Sequence, residues 1–374
     1  MLKRIYILPI AFTVIGLSVG GSIFYFSQKA PSYINPSSFS VMQMPSTVPT
    51  DKQPTPTPYM ISVPKRKVLL NEYHVFQSFN NCGPAALSMA LSYYGITKSQ
   101  KELGEQLRPY QNPQGNNDDK SVTLEELANK ADEYNLTAYH RPNGTKESIK
   151  QFIALDIPVI TRTLLHTTDD IGHFRIIKGY DENQQVFIQD DSLQGKNLSY
   201  SYEEFDQLWK QFGYEYVVLV PQDKKQFVEN ILGENRDEKR SWEIATSTAE
   251  KQTQEDPLDI YAELNLSVAA YHTGEYEKSI KAFEFIESKL PFRTLWYQIE
   301  PILSYYELGN YEKVFQITDK ILNNQNSAFS ELYYLRGEIY LKQGERQKAK
   351  EEFGKAIFYN THYMPAKEAL AAFP

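Results

Sequence analysis

The pentapeptide Gly274-Glu-Tyr-Glu-Lys278 returns 35 residues later as Gly309-Asn-Tyr-Glu-Lys313, and 35 later again as the weaker Gly344-Glu-Arg-Gln-Lys348. The flanks keep step. Ala270, Tyr305 and Tyr340 stand four residues before each glycine, Phe283, Thr318 and Phe353 nine after, and Ile286, Ile321 and Ala356 twelve after. From about residue 257 onward the chain reads as helix. Repeats of this kind cannot bury their apolar faces alone and do so by stacking on neighbours. Residues 257–374 are therefore expected to form an all-helical array. The stretch 223–256 reads as a linker or as a degenerate first unit ending at Pro257.

The third unit, with Gly337, Tyr340, Gly344, Ala349, Phe353 and Ala356, resembles a tetratricopeptide repeat. Each unit is one residue longer than the usual period of about 34. The resemblance implies a concave face that binds a peptide or protein partner. A short array can equally serve only to pack against the preceding domain.

At the other end, Lys3 and Arg4 precede 22 uncharged, mostly apolar residues, Ile5 to Phe26. A hydrocarbon core needs about 20. Tyr6 at one end and Phe24, Tyr25 and Phe26 at the other suit the two interfaces, and Pro9 is tolerable in a membrane helix. Residues 1–30 thus read as a membrane anchor, with the basic N-terminus cytoplasmic and the bulk of the chain outside a single-pass cell membrane. The alternative is a cleaved signal peptide, for which Ser18 to Ser22 is small enough, and which would make the protein secreted. Residues 31–67 read as a stalk. Eight prolines fall between 31 and 64, and such composition favours extended structure over a core. Lys65, Arg66 and Lys67 end it as a solvated charge run.

The net charge of -8 argues against a nucleic-acid partner. No glycine-rich phosphate loop or zinc motif is present, so no cofactor or metal is expected. Asp118-Asp119 and Asp169-Asp170 are loop pairs without supporting ligands.

Residues 68–222 mix both element types. Helices are expected over 83–94, 98–107, 123–134 and 145–155, the third opened by a Thr123–Glu126 capping box. Strands are expected over Thr137–His140, Pro158–Thr163, His173–Tyr180, Gln185–Gln189 and Tyr214–Val220, and Gln111–Lys120 reads as a loop. Helices first and strands later give an α+β domain.

Within it, Cys82 is the sole cysteine of the chain, so no intramolecular disulfide exists. Most free cysteines are small buried hydrophobes. Here Gly83 and Pro84 lead into a helix capped by Gly95, with Pro84 suited to the first helical position. The sulfur then lies at a helix N-terminus, where the dipole and free N–H groups favour the reactive thiolate.

A cysteine nucleophile needs a base. Of six histidines, His140 and His166 stand among loop-like or polar residues, His74 precedes Gln77, and His272 and His362 lie in the repeats. His173 begins a strand in Gly172-His-Phe-Arg-Ile-Ile-Lys-Gly179-Tyr-Asp181, sharing a face with Arg175. A strand holds a side chain rigidly, as a general base requires. The next strand ends in Asp190-Asp191-Ser192-Leu-Gln-Gly195. Successive carboxylates point to opposite faces, so only one can orient the imidazole, and strand register can be counted either way.

The ordered set Gln77-x4-Cys82-Gly-Pro-Ala, Gly172-His-Phe-x4-Gly-Tyr-Asp and Asp191-Ser-x-x-Gly195 resembles the papain-like cysteine peptidases of family thirty-nine, the double-glycine leader peptidases, in a stand-alone form. The similarity covers about residues 68–222 and extends to Tyr200–Trp209. It implies a papain-like fold with Cys82 as nucleophile, His173 as base, Asp191 as orienting carboxylate with Asp190 as alternative, and Gln77 as oxyanion donor. It also implies a peptide or protein substrate. The chain has no ATP-binding cassette motif, and the expected topology places the site outside, so leader processing is not inherited. Asn81 stands where many relatives carry Asp or Gly. Two readings compete: a membrane-anchored cysteine peptidase, and an inactive papain-like binding or scaffold protein of the cell envelope whose repeats are the working part.

Overall fold

In the computed structural model the described residues are 61–107, 109, 122–324 and 326–373. The expected span at 5–26, most of the proline-rich stretch, and Asp118-Asp119 lie outside them. No helix among the described residues is long and apolar enough to cross a membrane.

The first part of the chain runs β1 (Arg66–Val68), α1 (Cys82–Ser92), α2 (Gln100–Leu107), α3 (Leu124–Asp132), β2 (Thr137–Arg141), α4 (Lys146–Ala154), β3 (Val159–Leu164), β4 (Gly172–Asp181), β5 (Val186–Asp191), β6 (Gly195–Ser201), α5 (Tyr202–Lys210) and β7 (Tyr216–Val220). The strands form one antiparallel sheet in the order β2-β7-β3-β4-β5-β6, with β1 on the end of β4 beyond β3. This is the expected α+β architecture.

The strands alternate between two cores. Val217 and Leu219 face a layer with Leu87, Leu127 and Phe174, whereas Tyr216, Val218 and Val220 face Phe152, Phe205 and Trp209. Helices cover both sides, which is why Tyr-Val-Val-Leu-Val reads as a continuous apolar run. A register shift between Ile177 and Gly179 puts Ile177 and Tyr180 in the same core.

Local signals set the helix starts. Thr123 and Glu126 cap each other reciprocally, and Thr145 and Ser148 do the same at α4. Two strands differ from expectation. Arg66–Val68, read as the end of the stalk, is an edge strand in which Arg66 pairs with Asp181 at 3.0 Å. Gly195–Ser201 was not legible because it is an edge strand with no buried residue and one aliphatic side chain. Pro84 is the third helical residue rather than the first, since Cys82 itself opens α1. It still lies in the first turn, where no N–H is needed.

The rest is helical: α6 (Lys225–Leu232), α7 (Glu238–Glu255), α8 (Ile260–His272), α9 (Tyr276–Ile286), α10 (Thr294–Tyr297), α11 (Glu300–Glu307), α12 (Tyr311–Asn324), α13 (Ser330–Lys342), α14 (Arg346–Tyr359) and α15 (Met364–Ala371). Val228 and Leu232 of α6 join the core of the sheet, whereas Trp242 of α7 packs with Leu264 and Val268 of α8. The repeat now has a physical basis. Gly274, Gly309 and Gly344 all have φ between +72° and +79°. The N–H of each following residue bonds the carbonyl of Ala270, Tyr305 or Tyr340 at 2.8–2.9 Å. These are helix-terminating Schellman turns, which need a residue free to adopt positive φ. Phe283, Thr318 and Phe353 are fully buried between helices.

The helical region docks on the sheet domain within one unit, Thr57–Pro374. Asn265 Nδ2 donates to the Lys210 carbonyl at 2.9 Å, Lys210 pairs with Asp259, and Arg293 pairs with Asp170 at 2.6 Å.

Candidate active site

Cys82, the first residue of α1, is 6% exposed. Gly83 behind it is obligatory, because a Cβ there would stand 2.2 Å from Val122 Cγ2. His173 enters from the start of β4 and is 2% exposed. Asp191 comes from the end of β5, opposite Arg175 across the ladder. Its Oδ1 lies 2.9 Å from His173 Nε2, and its Oδ2 lies 3.2 Å from Arg175 Nε, with all three side chains almost wholly buried. With Nε2 facing Asp191, Nδ1 is left for the thiol, and His173 shares a hydrogen bond with Cys82.

Asp190 takes the other face. Its carboxylate pairs with the buried Lys178 ammonium at 2.7 Å. Asp191 is thus the carboxylate that reaches the imidazole, and Asp190 does not.

Asp191 is held firmly. Its Oδ1 also accepts the backbone N–H groups of Leu193 and Gln194 at 2.7 and 2.8 Å, and its carbonyl lies 3.0 Å from His74 Nε2. Ser192 then ties this turn to Gln77. The Ser192 hydroxyl donates to Gln77 Oε1 at 2.9 Å, and the Gln77 N–H donates to the Ser192 carbonyl at 2.7 Å. That fixes the amide with Oε1 toward Ser192 and its N–H₂ end away from it.

Burial raises the Cys82 thiol pKa, but the His173 hydrogen bond and charge, the Arg162 charge and the Gly83 N–H outweigh it, so the thiol is more acidic than a free one. Burial alone would lower His173, but Asp191 and Cys82 raise it above the usual imidazole range. Burial opposes ionisation of Asp191 too, yet His173, Arg175 and the Gln194 N–H bring it to about 2. Every direction favours a thiolate–imidazolium pair beside a carboxylate.

Three further residues bear on the site. Arg162 is buried over the rings of Phe174, Phe212 and Tyr297, at 5.2, 5.4 and 4.7 Å. A charged residue in the middle of the expected strand Pro158–Thr163 was the available signal. Tyr297 of α10 packs on Gly172, and its hydroxyl accepts the Gly172 N–H beside His173. His74 braces Asp191 at its backbone carbonyl. The remaining histidines lie elsewhere. His140 is in β2, where the strand Thr137–His140 was expected, and bonds Glu215 at 2.6 Å, while His166 bonds Asp169 at 2.9 Å and His272 stacks on Trp242. Among the described residues no group of His, Cys, Asp or Glu is placed to hold a metal.

Gln77, Cys82 and His173 line one open cleft of about 440 Å³, walled on one side by Arg293, Trp296 and Tyr297.

Residues 64–217 match the Peptidase_C39 like family. The match takes in Gln77, Cys82, His173 and Asp191 and leaves Tyr297 and the helical region outside. No curated protein matches the chain. Among solved structures the chain is similar to one from Bacillus anthracis described as a C39-like peptidase, at 19% identity and TM-score 0.36, covering 42% of this chain and 98% of that one. It is also similar to the peptidase domain of Streptococcus ComA, a bifunctional ABC transporter involved in a quorum sensing pathway, at 21% identity and TM-score 0.32, covering 40% of this chain and 97% of that one. A third is a double glycine motif protease from an AMS/PCAT transporter in complex with the leader peptide, at 19% identity and TM-score 0.31, covering 40% of this chain and 91% of that one.

Proposed function

We propose that the protein is a membrane-anchored, extracytoplasmic cysteine peptidase acting on peptide or protein substrates. One observation carries the reading: Cys82 and Asp191 meet one buried imidazole, with Asp191 Oδ1 2.9 Å from His173 Nε2. In this reading the Cys82 thiolate attacks the scissile carbonyl carbon. The oxyanion is met by the Gln77 amide and the Cys82 backbone N–H, donors that gain strength as charge develops. His173 gives its proton to the leaving amine as the C–N bond breaks, then takes one from the water that cleaves the thioester. Asp191 holds the imidazolium throughout.

The anchor at 5–26 and the proline-rich stalk keep the domain at the outer surface of the membrane. The helical units are tetratricopeptide-like and bind substrate or a protein partner. Membrane fractionation with protease accessibility tests the topology.

The chemistry is tested by the pH dependence of Cys82 alkylation in the full-length protein, with and without His173→Ala. A depressed inflection that returns toward the free value of about 8.5 without His173 supports a working pair. An ordinary thiol indifferent to His173 would remove the peptidase reading and leave the envelope binding or scaffold protein.

A further inference from the structure

The wall of the cleft that comes from the helical region lies outside the residues that match the family. Its placement is fixed. Arg293 is held by Asp170, which takes its guanidinium at 2.6 Å and its N–H at 3.0 Å. Tyr297 is held by the Gly172 N–H and by contact with Gly172, where a Cβ would stand 3.0 Å from the ring. The wall therefore bears directly on the residue before His173.

The surface it completes is mostly apolar, with Gln77, Ser78 and Asn80 as its uncharged polar residues. Phe79, Leu165, Ile171, Leu193, Trp296 and Tyr297 line the cleft. Phe79, Ile171 and Leu193 at its mouth are 37%, 41% and 50% exposed, leaving bulky apolar groups in water. The lining charge outside the Cys82–His173 pair is Arg293, and Asp170 already answers it. A charged side chain entering here would lose hydration without a fresh partner. An apolar one would gain by burying itself and the rim.

We propose that Trp296 and Tyr297, with the rim residues Ile171 and Leu193, form a specificity subsite for a bulky apolar side chain, aromatic or branched aliphatic, next to the scissile bond of a polypeptide substrate. The proposal builds on the peptidase reading of the same cleft for the class of its occupant. Specificity is then set by the helical region together with the sheet domain. A cleft of about 440 Å³ has room for such a side chain, and a glycine there would leave the rim wet.

The test uses full-length protein and labelled peptides of one parent sequence, in which each position flanking a central bond is set in turn to Gly, Leu, Phe, Asp or Lys. Binding is read by anisotropy on the Cys82→Ala protein, and cleavage by mass spectrometry on the wild type. Phe and Leu peptides should bind about tenfold or more tighter than Gly peptides, with kcat/KM following. Ile171→Ser combined with Leu193→Ser should bring that ratio toward one while the pH profile of Cys82 alkylation stays put. A flat profile, a preference for Asp or Lys, or a ratio unmoved by the rim substitutions overturns the subsite. Apolar-selective binding without cleavage by the wild type sinks the peptidase reading and keeps the subsite. Cleavage without selectivity does the reverse.

Discussion

Replacing Asp191 by Asn removes one charge from a buried triangle with His173 and Arg175, and the neighbouring Asp190→Asn supplies an internal control. Asp191 lies 2.9 Å from His173 Nε2 and 3.2 Å from Arg175 Nε, with the Asp191 and Arg175 side chains at 0% exposure. The fall of its pKa from 3.8 to about 2 corresponds to on the order of 2 kcal/mol of folding free energy at neutral pH. Leaving Arg175 as a buried cation without its carboxylate raises the expected loss to about 3–5 kcal/mol. Asp190→Asn breaks the Lys178 pair at 2.7 Å, buried to a similar degree, and should cost about as much by the same argument. The two differ at the thiol. Without Asp191 the imidazolium loses its partner, so His173 falls back and the Cys82 inflection moves up. Asp190→Asn should leave that inflection where it was. Denaturant midpoints give the stabilities, and the pH dependence of alkylation gives the inflections. If Asp190→Asn moved the thiol as far as Asp191→Asn, or if neither moved it, the assignment of Asp191 as the orienting carboxylate would be wrong.

Acid should expose the same group. A carboxylate whose folded pKa is depressed adds stability above its unfolded value, lost as pH falls through the folded one. Wild-type stability should therefore drop between about pH 4 and pH 2, and Asp191→Asn should lack that component of the denaturation curve. Gly83→Ala would set a methyl 2.2 Å from Val122 Cγ2, costing about 1–3 kcal/mol through overpacking and displacing Cys82, so Tm and alkylation rate should fall together. Thr123→Ala removes the reciprocal cap of α3 and should cost about 1 kcal/mol with no change in thiol reactivity; a shift in both would tie α3 to the site in a way the geometry does not suggest. Tyr297→Phe takes the acceptor from the Gly172 N–H. It should cost about 1–3 kcal/mol and slow alkylation at neutral pH by loosening His173, whereas unchanged kinetics would confine Tyr297 to packing.

Much of this was legible in the chain because it is local. Helix starts such as Thr123–Glu126, the terminating glycines of the repeat and the helix N-terminus at Cys82 depend on residues within a turn of one another. Strand alternation told that Asp190 and Asp191 must diverge, but which of them meets His173 was settled by how β5 registers against β4. Arg66–Val68 and Gly195–Ser201 were missed because edge strands carry charge and polarity in place of an apolar pattern.

The sequence by itself determined most of the elements, the repeat and the nucleophile-like setting of Cys82, since propensity and capping act over a few residues. Only the tertiary structure decided that Arg162 lies over Phe174, Phe212 and Tyr297, that Ser192 locks Gln77, and that Arg293, Trp296 and Tyr297 wall the cleft. Those contacts join segments far apart in the chain. They exist only once the sheet is paired and the helices have docked on it, and no local pattern encodes where a distant side chain will arrive.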